Sequence, residues 1–302
     1  MINISALDTE QRNPNTLDID KLSTMEMVRL INDEDKKVAA SVEAVLPEIS
    51  SAVDAIFEKL KSGGRLIYAG AGTSGRLGLL DAAECPPTFS VDYDMVVALL
   101  AGGPEAFIKA KEGAEDSREL GASDLAAINF CAKDALVGIA ASGRTPYVIG
   151  AMEYARSVGG FVAALSCTQN AEISNYADVN IAPLPGPEVI TGSTRLKSGT
   201  AQKMVLNMLS TAVMIKLGKT YGNLMVDLKA TNGKLVSRAL NIVCMATGVD
   251  KERALGVLEA CEFSAKTAIV MILGNWGFEK AKDVLDKADG VVYKALEEKK
   301  SG

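Results

Sequence analysis

Two stretches of small hydroxyl residues and glycines have the composition of anion-binding loops. Thr73 and Ser74 lie in the segment GAGTSGRLG, at the end of an apolar run. Ser142, Gly143 and Thr145 lie in a second such segment, AASGRTPYV, after another apolar run. Glycine permits close approach of the backbone to a ligand, and a helix that starts there directs its N-terminal N–H groups toward a negative charge. Two loops of this kind predict one phosphate monoester held from both sides.

The residues alone also allow other interpretations of these loops. The first loop matches the pattern GxGxxG at Gly70, Gly72 and Gly75, and Asp92 or Asp94 could then contact the ribose of a dinucleotide. A single GxGxxG is a weak signal, and the second hydroxyl-rich loop favours the phosphate monoester. The serine and threonine side chains could also simply cap the helices that follow.

A third segment, GPEVITGSTRLKSGTAQK, leads into a long predicted helix. Ser193 and Lys197 lie near the first turn of that helix, where they could complete a sugar-phosphate pocket. Lysine is a compact, flexible positive charge, and it is equally common as a solvated surface residue. The sequence does not choose between these two roles for Lys197.

Acid–base chemistry must rely on side chains other than histidine, because the sequence contains none. The commonest general base and the commonest metal ligand are therefore missing, and we expect no metal and no cofactor. Glu84 lies in the apolar, proline-rich stretch AAECPP, which predicts a desolvated and protonated carboxyl group. The stretch KEGAED offers Glu112, Glu115 and Asp116, which spacing cannot separate and which could equally form a solvated helix end.

The composition is that of a globular chain with a large core. Hydrophobic residues make up 48% and charged residues 23% of the 302 residues, and the net charge is −6. This charge argues against nucleic acid or an anionic membrane as the main partner. The sequence shows no signal-peptide pattern and no apolar run long enough for a membrane span, and its five cysteines are widely spaced. We therefore expect a cytoplasmic protein with buried, reduced thiols.

The candidate residues are positioned by a predicted α/β fold. Residues 1–60 are expected to form an extended polar lead-in followed by helices. Residues 61–222 contain five short apolar runs alternating with helical stretches, which predicts a three-layer α/β/α sandwich with a parallel sheet of about five strands. Ligands bind beyond the carboxyl ends of such strands, where the two hydroxyl-rich loops fall. Residues 223–302 contain four helical stretches, which predict a small helical C-terminal domain. The helix after the first loop is expected to end at Glu84, before two prolines.

Several of these segments resemble the SIS (sugar isomerase) fold and, more closely, the N-acetylmuramic acid 6-phosphate etherase family. The resemblance extends over roughly residues 9–227, and its most specific strings are ECPPTF and AASGRTPYV. It implies a lyase that cleaves the D-lactyl ether of N-acetylmuramic acid 6-phosphate to N-acetylglucosamine 6-phosphate and D-lactate, in the recycling of cell-wall amino sugars. It also implies a homodimer and a reaction without a metal.

The resemblance also implies roles for two carboxylates. An ether β to a carbonyl can be eliminated, because the C2 proton of the open-chain sugar is acidic, and water then adds at C3. Glu84 matches the acid that protonates the departing lactate, and Glu115 matches the second acid–base residue, which removes the C2 proton. Glu188 is a weaker candidate, for ring opening. The alternatives are a non-catalytic sugar-phosphate-binding regulatory protein of the same fold and an aldose–ketose sugar-phosphate isomerase.

Overall fold

A computed structural model describes three stretches of the chain: residues 8–109, 111–227 and 233–297. The described residues divide into two compact units. The first unit comprises residues 8–83 and 93–210, and the second comprises residues 84–92 and 211–297. The domain boundaries that we derive from the sequence, 1–60, 61–222 and 223–302, stay a prediction.

The N-terminal lead-in is not extended. It contains three short 3₁₀ turns: Asp8–Glu10, Pro14–Thr16 and Ile19–Lys21. The second turn follows from local Asn-Pro chemistry, because the Asn13 side chain accepts a hydrogen bond from the Asn15 N–H at 2.9 Å while Pro14 fixes the backbone. Thr16 is buried and donates to the carbonyl of Val189 at 2.9 Å, so this segment is tied to the first unit.

Two helices precede the sheet, as the apolar spacing predicts. They are α1 (Thr24–Glu43) and α2 (Leu46–Lys61). Helix α1 begins with a capping box, in which the Ser23 N–H donates to the Glu26 carboxylate at 2.9 Å. Helix α2 buries one apolar face, which comprises Ile49, Val53, Ile56 and Leu60.

The sheet of the first unit has five parallel strands, as predicted. They are β1 (Leu66–Gly70), β2 (Val96–Leu100), β3 (Ala135–Ile139), β4 (Phe161–Leu165) and β5 (Val179–Ile181). Their order across the sheet is β2-β1-β3-β4-β5. Gly70, the last residue of β1, pairs with Leu100 on one side and with Ile139 on the other. The carboxyl ends of three strands therefore meet at one edge of the sheet, where ligands bind in open α/β sheets.

Four longer helices follow strands of the sheet: α3 (Gly72–Phe89), α4 (Arg118–Ala127), α5 (Pro146–Ser157) and α6 (Lys197–Lys216). Strands β1 and β3 are buried along their whole length. This burial accounts for their continuous apolar sequences, because a parallel sheet is covered on both faces.

Helix α3 differs from its predicted bounds at both ends. It begins at Gly72, so the predicted loop residues Thr73 and Ser74 lie in its first turn. It does not end at Glu84 but continues through Pro86 and Pro87. A proline removes its own backbone donor, so the carbonyls of Ala82 and Ala83 lose their intrahelical partners, and α3 ends two residues after Pro87, at Phe89.

The second unit is mostly helical. Its elements are a hairpin of β6 (Thr220–Tyr221) and β7 (Leu224–Met225), and the helices α7 (Gly233–Thr247), α8 (Lys251–Ala260), α9 (Ala265–Gly274), α10 (Phe278–Lys287) and α11 (Val292–Glu297). The hairpin is absent from the prediction, because two-residue strands are too short to show alternation. The fourth predicted helical stretch is two helices, which are separated at Asp289 and Gly290, where φ is 53° and 74°. No helix among the described residues is long and apolar enough to cross a membrane.

The cysteines meet the sequence-based expectation in part. None of the five is in a disulfide bond among the described residues, which include all of them. Three are buried, namely Cys85, Cys167 and Cys261, whereas Cys244 is half-buried and Cys131 is exposed.

Candidate functional site

The first predicted phosphate-binding segment is the junction of β1 and α3. Gly70 and Gly75 approach so closely that a Cβ atom on Gly75 would lie 2.5 Å from the Gly70 carbonyl oxygen. This contact lets α3 start directly at the sheet edge, with its first N–H groups directed beyond β1. Thr73 is half-buried in the first turn, and Ser74 is buried.

Ser74 is held by a residue that the sequence does not single out. Its hydroxyl group donates to Oε1 of Gln202, on α6, at 3.0 Å. Gln202 is fully buried, and its Nε2 has no hydrogen-bond partner among the described residues. A buried amide group without a partner costs about 1–3 kcal/mol. Only its membership of the segment GTAQK could have drawn attention to Gln202, because its partner is 128 positions away in the sequence.

The second predicted segment is the turn between β3 and α5. Gly143 has φ 68°, and a Cβ atom there would collide with the Cβ of Ala171, so the position requires glycine. Ser142 is half-buried beside it. Thr145 precedes the first residue of α5, and its side chain makes no capping hydrogen bond to a described residue. The first N–H groups of α5 are therefore not satisfied by this threonine, contrary to the simple capping interpretation.

The structure brings these two segments to one edge of the sheet. Strands β1 and β3 are hydrogen-bonded neighbours, and Gly70 pairs with Ile139 at their carboxyl ends. Neighbouring strands lie about 4.8 Å apart. The starts of α3 and α5 therefore follow neighbouring strand ends, and their joint binding of one small anion stays a prediction.

The third segment does not offer a lysine to that anion. Lys197 is buried, and its ammonium group lies 2.7 Å from the Glu34 carboxylate and donates to the Pro185 carbonyl at 3.0 Å. It is not a solvated charge. Because its charge is already paired, the structure does not support the predicted phosphate-binding role for Lys197.

Glu188 has a structural function that the sequence does not reveal. It is fully buried, and its two carboxylate oxygens accept the N–H groups of Lys197 and Ser198, both at 2.9 Å. It therefore caps the N-terminus of α6, and the structure does not support the predicted ring-opening role. Ser193 is half-buried, and its N–H donates to the Ile190 carbonyl in the turn before α6. Glu188 lies nine positions before the first residue of α6, which is outside the usual capping patterns.

Glu115 lies beside a cavity at the carboxyl ends of β1 and β2. The cavity has a volume of about 170 Å³, and its described lining is Ala71, Gly72, Arg76, Ala101, Ala106, Lys111, Glu112, Gly113 and Glu115. The Glu115 side chain is exposed, in the 3₁₀ turn Ala114–Asp116. The lining combines two cations with two carboxylates around the first turn of α3.

Arg76 fixes the wall of this cavity. Its Nε donates to the Phe107 carbonyl at 2.7 Å, and its Nη2 donates to the Ala106 carbonyl at 2.9 Å. Both carbonyls belong to the 3₁₀ turn Pro104–Phe107, in the connection that leads from β2 to Glu115. The guanidinium group therefore ties α3 to that connection.

Glu84 does not have the environment that the sequence predicts. Its side chain is exposed, whereas that of Cys85 is buried. The prediction that the Glu84 carboxyl group is desolvated is therefore wrong, because α3 directs this side chain toward solvent.

The less exposed carboxylate on α3 is Asp81, which is half-buried. It accepts hydrogen bonds from the Tyr68 hydroxyl at 2.8 Å and from the Ser210 hydroxyl at 3.1 Å. Burial raises the pKa of Asp81, and the hydrogen bonds from Tyr68 and Ser210 offset this in part. These contacts connect α3, β1 and α6 in the first unit.

Part of the chain matches a known domain model. Residues 48–156 match the model described as "Glucokinase regulatory protein N-terminal SIS domain". The matched range includes β1, β2 and β3, together with both hydroxyl-rich segments.

Curated relatives match nearly the whole chain. The N-acetylmuramic acid 6-phosphate etherase of Clostridium beijerinckii is 56% identical over 297 residues, which cover 98% of each chain. The protein of the same name from Vibrio atlanticus is 58% identical over 294 residues, which cover 97% of this chain and 96% of the relative.

A solved structure supports the fold. The phosphoheptose isomerase of Neisseria gonorrhoeae superposes with a TM-score of 0.50 at 18% sequence identity, and the match covers 63% of this chain and 99% of that one. At this identity the likeness concerns the fold alone.

Proposed function

This chain belongs to the N-acetylmuramic acid 6-phosphate etherase family, and from that premise we propose that it cleaves the D-lactyl ether of N-acetylmuramic acid 6-phosphate. The products are N-acetylglucosamine 6-phosphate and D-lactate. The observation that carries this proposal is the identity of 56–58% over almost the full length of both chains. The reaction is a lyase reaction of cell-wall amino-sugar recycling.

The chemistry follows from the substrate and from the available side chains. In the open-chain sugar, a base removes the C2 proton, the lactyl oxygen leaves C3, and water adds to the resulting double bond. Glu115 is the base at C2, because it is a carboxylate that lines the cavity beside the first turn of α3. Glu84 protonates the departing lactate, a role that rests on the family resemblance of ECPPTF. Each such group contributes about 10²–10⁴-fold to the rate.

The phosphate group binds between the starts of α3 and α5. Ser142 and Thr145 supply hydroxyl groups, and Ser74 does so once its hydroxyl turns from Gln202 Oε1 to the phosphate. Thr73 and Gly143 supply backbone N–H groups. The start of α6 is excluded from this role, because Glu188 already accepts its first N–H groups. The phosphate-binding groups therefore come from the starts of two helices, α3 and α5, and not from a third.

A regulatory protein that only binds a sugar phosphate is the second candidate. The match to the glucokinase regulatory protein domain favours it, but that match covers residues 48–156 only. The etherases match 97–98% of the chain. The catalytic interpretation is therefore the stronger one, and the likeness to an isomerase concerns only the fold.

The working unit is a homodimer in the cytoplasm. Helix α1 exposes Met25, Val28 and Ile31 at a spacing of three residues, with 66%, 57% and 38% of their surface accessible. A second copy would cover such an apolar stripe. Cysteines without disulfide bonds suit a reducing compartment.

Incubation of the purified chain with N-acetylmuramic acid 6-phosphate, followed by an assay for D-lactate, tests the proposed function. We expect lactate release from the phosphorylated sugar and far less from unphosphorylated N-acetylmuramic acid. Binding of the sugar phosphate without release of lactate would favour the regulatory protein.

A further inference from the structure

We propose that the cavity beside Glu115 binds the carboxylate of the D-lactyl arm, with Arg76 and Lys111 as its cationic partners. This inference rests on the proposed function, because it assigns one part of that substrate to one part of the site. The family resemblance assigns roles at the ether bond and at the phosphate, whereas the free carboxylate of the lactyl arm has no assigned partner.

The position of the cavity fits a substrate with two anionic ends. The cavity lies beyond β1 and β2, since Ala71 and Ala101 directly follow those strands. The turn at Ser142 lies beyond β3, on the other side of β1. Two interstrand spacings separate β2 from β3, which is roughly 10 Å. The sugar carbons from C3 to C6, with the lactyl arm at one end and the phosphate at the other, can bridge this distance across the end of β1.

The size of the cavity also fits the lactyl arm. Its volume of about 170 Å³ is below the roughly 300–1,000 Å³ of pockets that hold a whole small-molecule ligand. A whole amino sugar is too large, so the cavity suits one arm of the substrate.

The two cations are placed by the backbone around them. Arg76 is held by the Ala106 and Phe107 carbonyls, so its guanidinium group is fixed before a ligand arrives. Lys111 packs where Gly102 lacks a side chain, because a Cβ atom on Gly102 would lie 2.9 Å from the Lys111 Cβ. A fixed guanidinium and an exposed lysine of the same lining are suitable partners for a carboxylate.

The charge balance makes both cations necessary. Glu112 and Glu115 line the same cavity, so two cations face two carboxylates before the substrate binds. An entering lactyl carboxylate adds a third negative charge. Loss of Lys111 would leave three carboxylates facing Arg76 alone, which disfavours binding of the substrate carboxylate.

Substrate and product differ in the group that this cavity recognises, and this difference provides the test. N-acetylmuramic acid 6-phosphate carries the lactyl carboxylate, whereas N-acetylglucosamine 6-phosphate lacks it. We expect Lys111→Gln to raise the KM for the substrate by about 10- to 100-fold. The same variant should change the Kd for N-acetylglucosamine 6-phosphate by less than about threefold. The competitive inhibition constant of D-lactate should rise with the KM.

Lys109→Gln is the matched control. Lys109 is an exposed lysine two positions before Lys111, outside the described lining of the cavity. Its replacement should leave both ligands unaffected. Arg76→Gln should repeat the ligand selectivity of Lys111→Gln, but Arg76 also holds the Pro104–Phe107 turn. Lys111→Gln is therefore the variant that tests the proposed carboxylate site.

The outcomes separate this inference from the proposed function. A wild-type chain that releases lactate, with a Lys111→Gln variant that binds both ligands normally or weakens both equally, overturns the carboxylate site alone. A wild-type chain that releases no lactate contradicts the proposed function and overturns the carboxylate site with it. Selective loss of the lactyl-bearing ligand supports both.

Discussion

The ammonium group of Lys197 lies 2.7 Å from the carboxylate of Glu34, and both side chains are almost completely buried. The two residues are 163 positions apart in the sequence. Glu34 belongs to α1, and Lys197 is the first residue of α6, so this ion pair fixes the N-terminal helix against the start of α6. The Asn15 amide also donates to Glu34, at 2.9 Å.

Breaking this ion pair should destabilise the fold. We expect Lys197→Met to lower the free energy of unfolding by about 3–5 kcal/mol, because Glu34 would remain buried without its main partner. Urea denaturation measures this change. Lys36→Met is the control, because Lys36 pairs with Asp33 at 2.7 Å on the exposed side of α1 and should contribute less than about 1 kcal/mol. Equal effects of the two substitutions would contradict the structural role of Lys197.

The same pair predicts acid sensitivity. Burial alone would raise the pKa of Glu34, but hydrogen bonds from Lys197, Lys37 and Asn15 outweigh burial and lower it to about 2. A lowered folded-state pKa stabilises the fold fully above the ordinary value of 4.5 and progressively less as the pH falls toward about 2. The difference in unfolding free energy between wild type and Glu34→Gln should therefore shrink over that acidic range, and a constant difference would contradict the assignment.

Gln202 and Ser74 should act as a unit in phosphate binding. We expect Ser74→Ala to weaken binding of N-acetylglucosamine 6-phosphate by about 10- to 100-fold, because a hydrogen bond to a charged group is lost. Gln202→Met should instead strengthen it, because Gln202 Oε1 no longer competes with the phosphate for the single hydroxyl hydrogen of Ser74. Titration calorimetry on both variants and on the double variant measures the coupling. Since the two side chains are in contact, their effects should not add, and simple additivity would show that Gln202 acts independently.

A hydrogen-exchange experiment should distinguish the roles of the two proposed catalytic carboxylates, Glu115 and Glu84. We expect Glu115→Gln to abolish exchange of the C2 proton with solvent deuterium, because the base is removed. Glu84→Gln should lose lactate release by about 10²–10⁴-fold and still exchange C2. NMR of the sugar and a lactate assay on the same samples give both rates. Asp116→Asn is the control, because Asp116 is an exposed carboxylate adjacent to Glu115.

The opposite exchange pattern would reverse the two roles. Normal C2 exchange in Glu115→Gln, together with none in Glu84→Gln, would make Glu84 the base. Near-normal lactate release by both variants would exclude both residues from catalysis.

Activity should be independent of a metal ion. The sequence has no histidine, and the proposed elimination needs only carboxylates and a phosphate site. We expect exhaustive treatment with EDTA to leave the rate of lactate release unchanged. A loss of rate that a divalent cation restores would contradict this expectation.

Local sequence patterns predict the sheet and the hydroxyl-rich segments, because burial and chain direction are encoded in neighbouring residues. Strand β1 is a continuous apolar run that ends in glycine, and the edge at which it ends follows from parallel pairing. The structural role of Lys197 could not be predicted in this way, because its partner Glu34 lies on a helix that is distant in the sequence. The Glu188 cap has a similar cause, since the carboxylate reaches α6 across an irregular segment. The exposure of Glu84 could not be predicted from its apolar neighbours, and the continuation of α3 through two prolines is disfavoured by propensity alone.

The two hydrogen bonds of Arg76 to the Pro104–Phe107 turn have a consequence for how binding energy is used. The 6-phosphate of the proposed substrate is remote from the ether bond at C3, and we propose that it contacts the first turn of α3, the helix whose arginine holds the segment leading to Glu115. Phosphate binding can therefore organise the base and increase turnover as well as affinity, as remote substrate groups do in other enzymes. Supplied as a separate ion, inorganic phosphite or phosphate should accelerate the slow turnover of unphosphorylated N-acetylmuramic acid. The phosphate would then be an activator that the natural substrate carries with it.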